Sequence, residues 1–455
     1  MKVLLIRPSF ENVFTKIQVL CIEPLELEYL SAICSRENVE SRICDLKIKK
    51  ENIKKIFRDY KPDIIAMTAN LVHIQTVNRY GKFAKQILPG SLFIVGGPHA
   101  EVNPHDFYFD NVDIVVHSGG FEAFSNIIRM KKNGTLDLSA LDGISYRKQG
   151  EWVKNKYLSF DLSTLPFPDR THFNKNKHRF KYLKYSPCAI VKTSYSCPHN
   201  CNYCFSTLLN GGKYITRDVE NVVDEIESID SEFIWIVDDT FFVDRQKAWR
   251  FIELIKERNI KKNYVLYYRA DFIANNEDII IELGRIGVLM IPVGLEVLDD
   301  EVLLKYNKKS TVAYSQKAIE VLKKAGIMCV ALLMIDIDAD RDYFKKLFEF
   351  IKRNELFLST ISVLTPMPGT EQFRQYRERI VTNNYKKWDF VHLVLNPTKM
   401  SRIEFYKEYY LLYQKLALLN HKAKILSPNY INAAKSIVDD FWEEIYNRFK
   451  SGKSI

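Results

Sequence analysis

Two successive runs of β–α alternation constrain this 455-residue chain more than any other feature. In residues 1–135, β-branched runs at Val3–Ile6, Glu40–Cys44, Asp63–Met67, Leu92–Val95 and Asp113–Val116 alternate with helical stretches near Pro24–Cys34, Glu51–Arg58, Ile74–Gln86 and Phe121–Met130. That rhythm predicts a doubly wound α/β unit: a parallel sheet, helices on both faces, and ligands outside the strands' carboxyl ends. A connector, 136–185, carries a small hairpin (Gly143–Tyr146, Trp152–Lys154) and a stiff exit at Pro166 and Pro168. In residues 186–375 six strands are expected, at Ala189–Thr193, Phe233–Val237, Val265–Arg269, Leu289–Val293, Met328–Met334 and Thr360–Leu364. Six β/α units make a partial barrel, since a closed one has eight. Residues 376–455 turn helical, with apolar stripes at 404–420 and 430–449.

Polar or glycine-rich loops stand at the strand ends of the first unit: RPSF, TANLVH, GGPHAEVNP and HSGGFE. They supply Thr68, Asn70, Gly96, Gly97, Pro98, His99, Ser118, Gly119 and Gly120 as candidate ligand contacts. Paired glycines let a backbone approach a bulky ligand closely. The G-x-G-x-x-G fingerprint is absent, which argues against dinucleotide binding by the usual route. A lone loop histidine such as His73 is more often structural, and His99 stands out only through its GGPH context.

At the end of the first strand of the second unit comes SYSCPHNCNYCF, with Cys197, Cys201 and Cys204 spaced C-x3-C-x2-C. Three thiolates so placed can each hold one iron of a 4Fe–4S cube, leaving the fourth iron open. A Cys3His zinc site with His199 is the alternative, though such sites usually draw on two separated knuckles and no second C-x-x-C occurs. A redox pair of Cys201 and Cys204 would leave Cys197 unexplained. The other five cysteines read as buried thiols, and eight in a chain of this kind point to a reducing compartment.

With Tyr203 just before the last cysteine, the motif resembles the signature of radical S-adenosylmethionine (SAM) enzymes. The resemblance implies that the open iron chelates SAM and that electron transfer cleaves it to a 5′-deoxyadenosyl radical. It also implies SAM contacts from Tyr203 and Phe205 beside the cluster, from Asp238 and Asp239 after the second strand, and from Glu296 in VGLEV, near the ribose. Arg269 would contact the SAM carboxylate or a substrate anion, or else form an ion pair with Asp271. Asp238 and Asp239 have a helix cap or turn as their alternative role. GGPHAE, with P-L-x-L-x-Y-L at Pro24–Leu30, is similar to the cobalamin-binding domain that precedes the radical domain in one large subfamily. Glu26 and SGGFE depart from the usual pattern there. The D-x-H-x-x-G motif is missing, so cobalamin would be held without histidine ligation. TPMPGT (Thr365–Thr370) resembles a loop of the same subfamily, with a structural turn as its plain role.

The expectation is therefore a doubly wound cobalamin-binding sheet, a partial (β/α)6 radical SAM barrel and a helical C-terminal region, with a 4Fe–4S cluster, SAM and cobalamin as cofactors. The expected reaction is C-methylation of a small molecule, with a ring-forming, oxidative or rearranging relative as the alternative. An RNA methylthiotransferase would need extra cluster cysteines in loops of the first unit and a β-rich terminal module. A zinc-stabilised binding module is the non-enzymatic alternative. An electron donor such as flavodoxin or ferredoxin is the expected partner. The net charge of +10 is dispersed among acidic residues, as on solvated helix faces, which disfavours nucleic acid. No apolar run is long enough to span a bilayer and no signal-peptide core follows Met1, so a cytoplasmic enzyme is expected.

Overall fold

The structure, a computed structural model, describes residues 1–9, 20–422, 439, 442, 443, 445, 446 and 450. The helical stretch expected at 430–449 falls almost entirely outside the described residues. The first unit is a seven-stranded sheet of β1 (Lys2–Arg7), β2 (Glu40–Asp45), β3 (Ile64–Thr68), β4 (Leu92–Gly96), β5 (Ile114–Val116), β6 (Ile144–Lys148) and β7 (Glu151–Lys154), in the order β2-β1-β3-β4-β5-β6-β7. The first five strands are parallel and the last two antiparallel. Val3 and Leu5 face α1 (Leu25–Arg36) and α5 (Gly120–Lys132), whereas Leu4 and Ile6 face α2 (Ile53–Tyr60) and α3 (Ile74–Ile87). A strand buried on both faces must be apolar throughout, as β1 is. The connector hairpin is β6–β7, and Ile114 pairs with Tyr146, so this sheet continues beyond residue 135.

The second unit is an open six-stranded sheet, all parallel and in chain order: β8 (Cys188–Val191), β9 (Phe233–Ile236), β10 (Asn263–Val265), β11 (Val288–Glu296), β12 (Met328–Ile335) and β13 (Ser359–Val363). Its outer face packs on helices α6 (Val219–Ser228), α7 (Arg245–Glu257), α8 (Glu277–Arg285), α9 (Val312–Lys324), α10 (Arg341–Arg353) and α11 (Arg402–Lys422). Its inner face carries Ile190, Phe233, Trp235, Val265, Met290 and Val330, which meet Leu25 and Tyr29 of α1. The first unit thus helps to fill the barrel. β10 ends at Val265, earlier than the spacing predicts; its pairing with β11 shifts register after Tyr264, and a single bridge, Tyr268 to Val293, follows it. Arg269 therefore leads the short helix Ala270–Asn275 instead of ending a strand.

Residues 376–401 form short turns, and helix resumes at α11. There Tyr409 and Tyr413 both donate to the Ile361 carbonyl, at 2.7 and 2.8 Å. Arg170 knots the units together. It meets Glu23 at 2.7 Å, Glu28 at 3.7 Å and Glu225 at 2.6 Å, and donates to the Ile190 carbonyl at 2.9 Å. None of the described helices is long and apolar enough to cross a membrane.

Candidate active site

Asp238 sets the take-off of the cysteine loop. Its carboxylate accepts the backbone N–H groups of Thr193 (2.8 Å) and Ser194 (3.1 Å) and the Thr193 hydroxyl. Burial raises this carboxyl, with Lys192 and the turn's donors opposing. Both oxygens are spent on the turn, so Asp238 acts here as an anchor. Asp239 instead accepts from the Ser206 hydroxyl, two residues past Cys204.

Cys201 is 7% exposed, and Cys197 and Cys204 are half-buried. All three are free thiols. The Cys204 N–H donates to the Cys201 carbonyl at 3.1 Å, a turn that presents both from one end of the barrel. Burial pushes the Cys204 thiol up to about 11 and raises Cys197. Such thiolates need a cationic partner, and a metal cluster is one. Among the described residues, no three His, Cys, Asp or Glu side chains gather closely enough to hold one ion. Three cysteines on one continuous loop, spaced C-x3-C-x2-C, are the donors that three corners of a 4Fe–4S cube take. The donor set fits a 4Fe–4S cluster.

Beside it lies a compact polar group. Arg269 is turned to Asp271 (2.9 and 3.0 Å), donates to the Lys308 carbonyl, and places Nη1 3.8 Å from Cys201 Sγ. The ion pair with Asp271 is thus formed. Glu296 sits at a register shift between β11 and β12 in a left-handed conformation, φ 60°. Strain of this kind in a non-glycine residue clusters at functional sites. Its Oε1 meets the buried ammonium of Lys308 at 2.6 Å, and Tyr203 Oη lies 3.4 Å from the same nitrogen. Burial alone would lower the Lys308 ammonium, but Glu296 and then Cys201 outweigh it and raise it. Tyr203 also packs edge-on to Tyr306, 5.4 Å between rings. Phe205 opens the short helical turn that follows the cysteines. Sequence reasoning missed Lys308, because it lies in YNKKS, which looks like any solvated lysine run.

In the first unit, strand order reverses between β1 and β3, the place where open α/β sheets bind ligands. Gly96 and Gly120 leave bare surface: a Cβ would meet only Val116 at 3.8 Å in the first case and nothing within 4 Å in the second. That fits close approach of a bulky cofactor such as cobalamin. Gly97 (φ 109°) is tight against its own fold, its Cβ position 2.8 Å from Ala69 N and 2.9 Å from Thr68 Oγ1. The Asn70 N–H donates to His73 Nδ1 at 3.0 Å. Ser118 Oγ accepts the Leu158 N–H at 3.0 Å, and Leu158 also covers Gly119. Pro98 starts the short helix α4 (Pro98–Val102).

His99, on that helix, is only 2% exposed, with Nε2 2.7 Å from Asp106. It is a core residue of the loop and not a solvated side chain. His117, just past the end of β5, is buried, and desolvation first and Lys154 next lower its imidazole below the usual histidine range. No motif marks it.

The two candidate cofactor regions touch. Glu101, on the Pro98–Val102 helix, accepts the Asn210 N–H from the turn that follows Cys204, and burial pushes its carboxyl up to about 7. Asn103 donates to the Pro368 carbonyl at 3.0 Å, so the TPMPGT turn wedges between the units. At Gly369 (φ 93°) a Cβ would fall 2.4 Å from Val102.

Comparison with known proteins agrees with this layout. Residues 191–351 match the radical SAM superfamily model and residues 18–128 the B12 binding domain model. The chain is 27% identical to the hopanoid C-3 methylase of Methylococcus capsulatus, over 97% of this chain and 87% of that one. It is 25% identical to an uncharacterized methyltransferase of Pyrococcus horikoshii, covering 87% and 88%. Among solved structures, the cobalamin-dependent SAM radical enzyme OxsB with aqua-cobalamin and SAM bound superposes with a TM-score of 0.73 at 15% identity, covering 100% of this chain and 82% of that one. The methyltransferase TsrM from Kitasatospora setae, with cobalamin and a 4Fe–4S cluster bound, gives 0.71 at 13% identity, covering 92% and 88%. A 4Fe–4S cluster, SAM and cobalamin are accordingly the cofactors of this chain. With a B12-binding domain joined to a radical SAM domain, it belongs to the cobalamin-dependent radical SAM enzymes.

Proposed function

We propose that this enzyme C-methylates a large, apolar, multi-ring small molecule held between the barrel mouth and the B12-binding loops. The observation that carries the reading is the contact of the GGPHAE helix with the turn after Cys204, through Glu101 and Asn210. It brings the two cofactor regions to a common space. Bound there, the cofactors supply a 5′-deoxyadenosyl radical from SAM and a transferable methyl group from cobalamin.

The chain's own residues orient and enclose. Cys197, Cys201 and Cys204 would hold the cluster, with Arg269 hydrogen-bonding Cys201 from behind. Glu296 would take the ribose hydroxyls of SAM, and Asp239 its ammonium group. The bare backbone at Gly96 and Gly120 would face cobalamin. Trp235, Val237, Tyr267 and Leu332 give the barrel interior an apolar, aromatic lining. Such a lining suits a ring system and excludes water from a radical. Relatives named for hopanoids and bacteriochlorophyllides support that substrate class. A cytoplasmic flavodoxin or ferredoxin would deliver the electron.

A second reading has its own support. An anaerobic magnesium-protoporphyrin IX monomethyl ester cyclase of Cereibacter sphaeroides is 24% identical over 82% of this chain, and ring formation could use the same parts. Anaerobic incubation of reconstituted enzyme with SAM, reductant, hydroxocobalamin and hopanoid or porphyrin substrates, so that SAM is the one source of methyl groups, separates the two. Methylation yields both 5′-deoxyadenosine and S-adenosylhomocysteine. Deoxyadenosine with a converted substrate and no homocysteine product would reject methyl transfer.

A further inference from the structure

The first two strands of the barrel present an apolar inner face that ends, at the rim, in a cation. Along β8 and β9 the inward positions are Ile190, Phe233, Trp235 and Val237, whereas Ala189, Val191, Ile234 and Ile236 face the outer helices. Lys192 follows Ile190 by two residues and so falls on the inner side. Its contacts agree: Nζ donates to the Val237 carbonyl at 3.3 Å and stands 5.0 Å from the centre of the Tyr195 ring. The Lys192 carbonyl is held by Arg217 at 3.0 Å, and Arg217 is itself paired with Glu225.

The half-buried ammonium has three donors. Val237 takes one at the long end of hydrogen-bond range, and the Tyr195 ring offers a cation–π contact. Among the described residues no carboxylate lies within 4 Å of it. Asp238, which feels its charge, spends both oxygens on Thr193 and Ser194. Tyr195 stands two residues before Cys197, and its ring meets Phe160 at 5.2 Å and Phe121 at 6.4 Å. Phe121 in turn follows Gly120, whose bare backbone would face cobalamin. Lys192 therefore lies where the cysteine loop, the B12-binding loop and the apolar lining meet.

Resting on the substrate reading above, we propose that the ring system carries a carboxylate and that Lys192 binds it, fixing which way round the substrate lies between the cofactors. The apolar walls take the rings, and the ammonium takes the one charged end. A single compact cation matches one unit of negative charge, which suits a carboxylate better than a phosphate dianion. A hydrogen bond to a charged group of this kind is worth about 10- to 100-fold in affinity.

The test compares 1-pyrenebutyrate, an apolar fused-ring compound with one carboxylate, with its methyl ester. Each is dialysed to equilibrium, without oxygen, against enzyme loaded with cluster and cobalamin, and iron and cobalt are measured on each sample. The wild type should bind the acid about 10- to 100-fold more tightly than the ester. Lys192→Met should weaken the acid to the level of the ester while the ester itself binds much as before, a selectivity that a merely structural role would not move. Lys192→Arg should keep most of the preference. A wild type that binds ester and acid alike, or a preference that survives in Lys192→Met, would overturn the carboxylate contact and leave an apolar ring site standing. A wild type that binds neither probe would reject the multi-ring reading, and this proposal with it. Loss of iron in both Lys192→Met and Lys192→Gln would make the residue a support of the Asp238 turn, which also overturns the proposal.

Discussion

Arg170→Met tests the joint between the two units. The guanidinium is the shared partner of Glu23, Glu28 and Glu225, whose side chains are almost wholly buried, and among the described residues only Glu225 has a second cation, Arg217. Removing one partner of a buried ion pair costs about 3–5 kcal/mol, because the remaining charge stays desolvated. At about 2 °C per kcal/mol for a body of this size, melting should fall by about 6–10 °C at pH 8. The pH dependence follows from Glu28, whose carboxyl is raised well above the usual carboxylate range by burial first and Glu23 next, with Arg170 opposing. The folded chain keeps a proton there that the unfolded chain releases above about pH 4.5. The contribution of Glu28 is therefore full below that pH and declines as pH rises toward the folded value. Without Arg170 the folded value moves higher still, so the deficit of the variant should shrink between pH 8 and about pH 5. Differential scanning fluorimetry across that range reads both effects. A variant within about 2 °C of wild type at pH 8, or a deficit that widens on acidification, would refute the reasoning.

Cys201→Ala should abolish 5′-deoxyadenosine formation, read by chromatography after anaerobic incubation with SAM and reductant; formation at the wild-type rate would reject its role as a cluster ligand. Gly97→Ala forces a Cβ onto the backbone of Ala69 at a positive φ, a strain of about 1–3 kcal/mol, and should lower cobalamin retained after gel filtration while leaving iron content intact. Gly369→Ala drives the TPMPGT turn against Val102 and should reduce methyl transfer more than deoxyadenosine formation, since the atom it strikes hardest belongs to the B12-binding unit.

Much of this was legible in the sequence because parallel strands buried on both faces leave dense apolar runs, such as VLLI and LFIV. The cysteine motif was equally legible, since its three ligands lie on one continuous loop. What escaped depends on residues far apart in the chain. Asp238 looked like a cofactor contact until its bonds to Thr193 and Ser194 occupied both oxygens. Arg269 looked like the end of a strand, but β10 stops at Val265 and Arg269 caps the helix Ala270–Asn275. Lys308 was invisible because burial of one lysine among several neighbours is decided by the fold around it. The connector hairpin was recognised as a hairpin, whereas its partner strand, β5, lies some 30 residues upstream and is paired only in three dimensions.

The account rests on an iron–sulfur cube held at three corners. Mössbauer spectroscopy of protein reconstituted anaerobically with ⁵⁷Fe, before and after SAM, tests this most directly. It predicts about four irons per chain in a cubane spectrum, one of which changes its parameters when SAM is added. Iron that shows no cubane spectrum, or a cubane in which no site responds to SAM, would contradict it.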